Sequence, residues 1–172
     1  IYTMVGASLL WVGWFGFNAG SAYGANESAG MAMLVTQIAT AAAALSWMFI
    51  EWFTKGKPSV IGLTGGAVAG LVAITPASGY VYPMGALIIG LVAGAACWFF
   101  STVVKKALGY DDSYDVFGIH GVGGIVGALL TGLFCVPILA DVEPGMKQLG
   151  IQFQGILMTI GWCGFATFVI LK

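Results

Sequence analysis

The chain is expected to fold as an all-α polytopic membrane helix bundle with six transmembrane helices, and three observations predict this. Of its 172 residues 59% are hydrophobic and 8% charged, with a mean hydropathy of +0.97. A water-soluble domain of this size needs roughly three times as much charge to cover its surface. Six apolar stretches, roughly 3–23, 29–53, 58–75, 81–104, 116–137 and 149–171, each approach the ~20 residues that a spanning helix requires. Pro58, Pro76, Pro83, Pro137 and Pro144 all fall at or between the edges of these stretches, where a missing N–H does least harm.

The first stretch carries Leu10, Trp14, Phe17 and Ser21 at i, i+4, i+7 and i+11, one helical face running from an aliphatic through aromatics to a hydroxyl. That face reads either as one wall of a pore, with Ser21 meeting a small polar solute and Phe17 blocking the way behind it, or as ordinary helix packing. Trp11 and Trp14 lie in mid-span, where an indole N–H wants a partner or a cavity. The second stretch ends at Trp52, which with Tyr110 and Tyr114 suits one interfacial aromatic belt, while Tyr80 and Tyr82 suit the other. The third stretch ends in Thr75-Pro76, a hydroxyl beside a helix break that faces a cavity or merely bonds its own helix.

Glycine is abundant, at 27 residues, and recurs as Gly16-x-x-x-Gly20-x-x-x-Gly24, Gly66-x-x-x-Gly70, Gly90-x-x-x-Gly94 and Gly123-x-x-x-Gly127. Such spacing lets membrane helices approach closely and says nothing about a ligand. Alternating spans put the connections near 55, near 105–115 and the C-terminus on one side. Lys55, Lys57, Lys105, Lys106 and Lys172 share that side, against Lys147 alone on the other, so the positive-inside rule makes it cytoplasmic. The expected location is the cell membrane, multi-pass, with lipid around a single transmembrane domain covering 1–172.

His120 is the single histidine and sits inside the fifth apolar stretch. An ionisable side chain in hydrocarbon loses hydration, so it usually faces a protein interior or pore, and imidazole is suited to passing or withholding a proton near neutrality. The competing reading is a buried ring bonded to a backbone carbonyl. Asp112, Val116 and His120 recur every four residues, so a helix beginning by Asp112 would carry all three in one descending stripe. Asp112 would then lie about 12 Å from His120 along the axis, too far for a hydrogen bond, and suits a helix cap, with Asp111 and Asp115 as rivals.

The absence of arginine and a net charge of −1 argue against nucleic acid as a partner. Cys97, Cys135 and Cys163 lack metal-ligand spacing and read as packing residues. No phosphate loop, activated nucleophile or paired intramembrane carboxylates suggest an enzyme, a cofactor or a metal.

Four segments, Gly13-Trp-Phe-Gly-Phe-Asn-Ala-Gly-Ser21, Gly70-Leu-Val-Ala-Ile-Thr-Pro-Ala-Ser-Gly-Tyr80, Gly85-Ala-Leu-Ile-Ile-Gly90 and Asp111-Asp-Ser-Tyr-Asp-Val-Phe-Gly-Ile-His-Gly-Val-Gly-Gly-Ile-Val-Gly127, resemble the ammonium transporter (Amt/Mep/Rh) family on its Amt side. The resemblance covers essentially the whole chain and corresponds to the second half, about helices six to eleven, of an eleven-helix inverted-repeat transporter. It implies a homotrimer with one pore per protomer, and an N-terminal half of the same protein that this chain lacks. Carried over by residue, Ser21 resembles the serine of an outer ammonium-recruitment site, Phe17 a gate phenylalanine and His120 the second of twin pore histidines. Leu10, Trp14, Thr75 and Val116 match pore-wall positions, and Asp112 matches an acidic residue at the inner end. The activity so implied is passage of ammonium, deprotonated, as ammonia. Its rivals are a non-conducting ammonium sensor or assembly subunit of the same fold, and a half-sized transporter pairing two copies. A cytoplasmic regulatory protein meeting a tail beyond Lys172 is a further expected partner.

Overall fold

The computed structural model describes Ile1–Lys172, and all of its regular structure is helical. In chain order the helices are α1 (Tyr2–Gly20), α2 (Glu27–Lys55), α3 (Val60–Ile74), α4 (Pro83–Leu108), α5 (Val116–Phe134), the short α6 (Pro137–Ala140) and α7 (Met146–Leu171). A helix thus underlies each of the six apolar stretches. Four of them, α2, α4, α5 and α7, are long and apolar enough to cross a membrane. Helix α3 is apolar but has only 15 residues, and α1 has 19 with Asn18 and two tryptophans among them.

Local chemistry sets the ends. The Asn26 side chain accepts the Ala29 N–H at 2.9 Å to start α2, and Gly56, at φ 75°, closes it in the left-handed conformation that glycine adopts without strain. Ser59 starts α3 by accepting the Gly62 N–H at 2.9 Å. Pro83 occupies the first turn of α4, where its missing N–H has no intrahelical partner to lose. None of the five prolines lies in a helix interior, as their sequence positions predict.

The core is built by helix α2 wedged between α3 and α4. Its Ala39 and Ala43 are fully buried, and their backbone is met on one side by Gly66 and Gly70 and on the other by Gly90 and Gly94. A Cβ added at any of these four glycines would overlap the carbonyl of Ala39 or Ala43. Helix α5 uses Gly127 in the same way, against the Ala73 carbonyl of α3. Close backbone approach maximises dispersion contacts, which hold membrane helices together when lipid is as apolar as the side chains. The glycines at 16 and 20 of α1 differ, because no atom of this chain comes within 4 Å of a Cβ built there. Helix α7 rests on α5 near Gly132 and buries none of its own residues.

Two departures from regular α-helix were not legible in the pattern. Residues Phe100–Val104 within α4 and Val116–Gly121 at the start of α5 are π-helical, and the two segments touch. Ser101 lies against Gly118 there, at a spot where a Cβ on Gly118 would overlap the Ser101 hydroxyl. The expected four-residue stripe from Asp112 to His120 needs correction accordingly. Helix α5 begins at Val116, not at Asp112, and its first turn is not of α period.

Candidate functional site

Helix α1 carries three of the four residues of the expected face, Leu10, Trp14 and Phe17, and ends just before Ser21. Leu10, Trp14 and Phe17 line one apolar groove with Gly6, Leu9 and Gly13. Phe17 is 63% exposed and Leu10 49%, so these residues are not sealed between helices within this chain. Ser21 follows the last turn of α1, and its hydroxyl donates to the Phe17 carbonyl at 2.8 Å, leaving its lone pairs free to accept.

The Trp14 ring joins the two ends of the site. It meets the Phe17 ring edge-on at 5.9 Å between centroids and the His120 ring at 6.1 Å, tilted by 54°. Its indole N–H donates to the Thr75 hydroxyl at 2.8 Å, and that hydroxyl donates to the Leu71 carbonyl at 2.8 Å. Thr75 thus bonds its own helix, the second of the two expected alternatives, and also anchors a groove residue from α1. Trp11 finds a partner as well, donating to Gln37 at 3.2 Å.

His120 is exposed on the wall of a cleft of about 680 Å³. Leu10 and Val116 line the same cleft, so four of the predicted residues, Leu10, Trp14, Val116 and His120, converge on one side of the bundle. Gly65, Val68 and Ile119 complete the apolar part of the wall near them. Gly65 and Val68 were missed in the sequence, although counting back from Thr75 in steps of four and three along α3 reaches both.

At its other end the cleft becomes polar. Glu51, Lys55, Ser59, Ser113 and Asp115 line it there. Glu51 is 4% exposed and fully engaged, accepting from Lys55 at 2.7 Å and from the Ser59 N–H and hydroxyl at 3.0 and 2.8 Å. The lysine-bearing ends of α2 and α4 thus share one end of the molecule.

Asp112 lies outside α5 and caps it, accepting the Phe117 N–H at 3.2 Å and the Gly118 N–H at 3.0 Å. Burial pushes its carboxyl up, but the N–H groups of Gly118, Phe117 and Val116 and the Lys105 charge outweigh it, holding the group below the usual carboxylate range. The rival caps do other work. Asp115 pairs with Lys105 at 2.8 Å and Asp111 accepts from Ser113 at 2.7 Å. Asp112 therefore fixes the turn that carries His120 without itself lining the cleft.

A polar pair at the opposite end escaped the sequence analysis. Asn18, next to Phe17 and 5% exposed, donates to the fully buried Thr36 hydroxyl at 3.0 Å and ties α1 to α2. Two short polar residues in apolar helices give no periodic signal to find them by.

The protein-family model described as Ammonium Transporter Family matches residues 1–172. An ammonium transporter of Aquifex aeolicus is 54% identical, over 97% of this chain and 40% of that protein. The crystal structure of Candida albicans Mep2 matches with a TM-score of 0.91 and 40% identity, covering 98% of this chain and 39% of that one. A structure titled Sensor Amt Protein matches with a TM-score of 0.89 and 35% identity, covering 98% of this chain and 43% of that one. The chain spans less than half the length of the relatives it matches. These relatives are named as ammonium transporters and not for an enzymatic reaction. With sequence, fold and the full span of the family model in agreement, this chain belongs to the ammonium transporter family.

Proposed function

We propose that this chain supplies one side of an ammonium-conducting passage, completed by the rest of a longer protein. The observation that carries the reading is the position of His120, exposed on the cleft wall with the Trp14 ring between it and Phe17. A bare ammonium ion entering a medium of low dielectric constant costs tens of kcal/mol, so it must be compensated or lose its proton. Ser21, with free lone pairs beside the exposed Phe17 ring, accepts a hydrogen bond from the ion while the aromatic face contributes about 2 kcal/mol once water is excluded. Beside Phe17 ammonium gives up its proton, either to water on the outer side, where the proton stays, or to an imidazole for passage along the histidines, and the molecule continues as ammonia. Trp14, held by Thr75, turns its ring and not its N–H toward the route, and His120 offers ammonia a nitrogen along an otherwise apolar wall of Leu10, Val116 and Ile119.

In this reading all six helices longer than ten residues cross the cell membrane, with the lysine-rich end and the C-terminus in the cytoplasm. They form the second half of an inverted repeat in a trimer with one passage per protomer. The open face of α1, where Gly16 and Gly20 meet nothing in this chain, receives the other half. Asp112 belongs to the inner end as the support of the His120 turn.

The full-length protein in liposomes tests this. An inward ammonium gradient is expected to change internal pH faster than in empty vesicles, and methylammonium uptake is expected to follow. Saturable ammonium binding with no uptake would favour a sensor of the same fold. That second reading draws on the likeness to the structure titled Sensor Amt Protein.

A further inference from the structure

The N–H groups of Phe117, Gly118 and Ile119 open α5, and all three bond to the turn that precedes it. Phe117 and Gly118 donate to the Asp112 carboxylate, and Ile119 donates to the Asp115 carbonyl at 2.8 Å. The turn closes on itself where the Asp115 N–H donates to the Asp112 carbonyl at 3.0 Å. Asp115 sits at φ 54° and ψ 31°, the left-handed region that residues with a Cβ enter at a cost. Such a conformation persists where neighbouring groups hold it. Whatever holds this turn therefore decides where α5 begins and which way His120, one residue after Ile119, points.

Lys105 holds it. Its ammonium group donates to the Asp112 carbonyl and, at 2.8 Å, to the Asp115 carboxylate, gripping both ends of the turn at once. Lys105 lies in the last turn of α4, directly after the π segment Phe100–Val104. A π turn carries one residue more than an α turn, so without it the side chain would point about 100° away. Lys106, the next residue, is exposed and forms no ion pair with either aspartate. Tyr110 packs its ring edge-on to Phe117 at 5.7 Å, but its hydroxyl bonds the Phe100 carbonyl and leaves both aspartates to Lys105.

We propose that Lys105 is a positioning residue for His120, a clamp that acts through the Asp112–Asp115 turn. The proposal rests on the reading of His120 as part of the passage wall. Lys105 does not line the cleft that holds His120, so its influence passes through the backbone of the turn and not through contact with the permeant. A partly exposed ion pair alone contributes little. Here the same charged group also satisfies a backbone carbonyl, and a charge-assisted bond of that kind is about twice as strong as a neutral one. Arginine carries the same charge with more donors and can bridge the same two acceptors, whereas methionine keeps the length of the stem and bonds neither.

Amide hydrogen exchange of the full-length protein in lipid nanodiscs, resolved to single residues, tests the clamp. In Lys105→Met the amides of Phe117, Gly118 and Ile119 are expected to exchange about tenfold faster, the scale of one charge-assisted hydrogen bond, while those from Val122 onward keep the wild-type rate. Lys105→Arg should restore wild-type protection, and Lys106→Met should not alter it. Asp115→Asn tolerates the left-handed conformation without the charge and leaves Lys105 its bond to the Asp112 carbonyl, so it should raise exchange less. Added to Lys105→Met, it should raise exchange no further. Ammonium uptake by the same variants in liposomes reads the consequence for His120. Lys105→Met should lower the maximal rate severalfold and leave the half-saturating concentration unchanged, because Phe17 and Ser21 belong to the other end of the site. Unchanged exchange at the three amides, or an equal rise along the whole of α5, overturns the proposal. Faster exchange with an undiminished maximal rate overturns it as well. The exchange decides the clamp even if the wild-type protein fails to conduct, so the two readings fail separately.

Discussion

Replacing Asp112 by alanine tests how the histidine-bearing turn is held. The carboxylate is 9% exposed and accepts two backbone N–H groups, from Phe117 at 3.2 Å and Gly118 at 3.0 Å, three and two residues before His120. A hydrogen bond to a charged group contributes about 1.5 kcal/mol at the low end of its range, so removing both costs about 3 kcal/mol. Asp112→Asn keeps one acceptor oxygen and should cost about half as much. Denaturant unfolding of the full-length protein in detergent measures both, and uptake by the same preparations reports the register of His120. The acid dependence follows from the depressed carboxyl. Its folded-state pKa lies below the unfolded value, so the stabilisation is present above the ordinary carboxylate range and is lost as pH falls through the folded value. The wild-type advantage over Asp112→Asn should therefore be constant near neutrality and shrink below about pH 4. An alanine variant as stable as wild type at pH 7, or an advantage that persists unchanged to pH 3, would refute the capping argument.

Thr75→Val should leave the Trp14 indole N–H unpaired at about 1–3 kcal/mol and slow uptake, whereas Thr75→Ser, which keeps the hydroxyl, should retain both stability and rate. Stability and uptake measured on the pair separate a lost hydrogen bond from a lost methyl. Gly127→Ala should destabilise by about 1–3 kcal/mol because its Cβ overlaps the Ala73 carbonyl, while Gly161→Ala in α7, with no atom of this chain within 4 Å, should not. Equal unfolding midpoints for these two variants would contradict the close-approach account of the core.

Much of the architecture was legible because lipid imposes a coarse rule. Long apolar stretches separated by prolines, glycines and charges place helices, and Pro58, Pro76, Pro83, Pro137 and Pro144 mark their limits within a few residues. The pairing of Gly66, Gly70, Gly90 and Gly94 with Ala39 and Ala43 could be anticipated as close contact, but not which helix would receive it. The π segments were not legible at all. An i→i+5 turn leaves no compositional mark, so the four-residue spacing of Asp112, Val116 and His120 pointed to a continuous helix that begins too early. Leu10, Trp14, Val116 and His120 were found because bulky or titratable groups in apolar helices stand out; the structure brings Leu10, Val116 and His120 to one cleft and sets the Trp14 ring 6.1 Å from the His120 ring. Asn18 and Thr36 were not, because their significance lies in the partner each finds on another helix.

The central claim is that the His120 ring faces a route taken by ammonia, and replacing it is the most direct test. Ammonium and potassium permeation should be measured for wild type and His120→Ala, each as the full-length protein at equal density in liposomes. The account predicts that the variant loses ammonium uptake or its discrimination against potassium. Unchanged uptake with unchanged discrimination would contradict it.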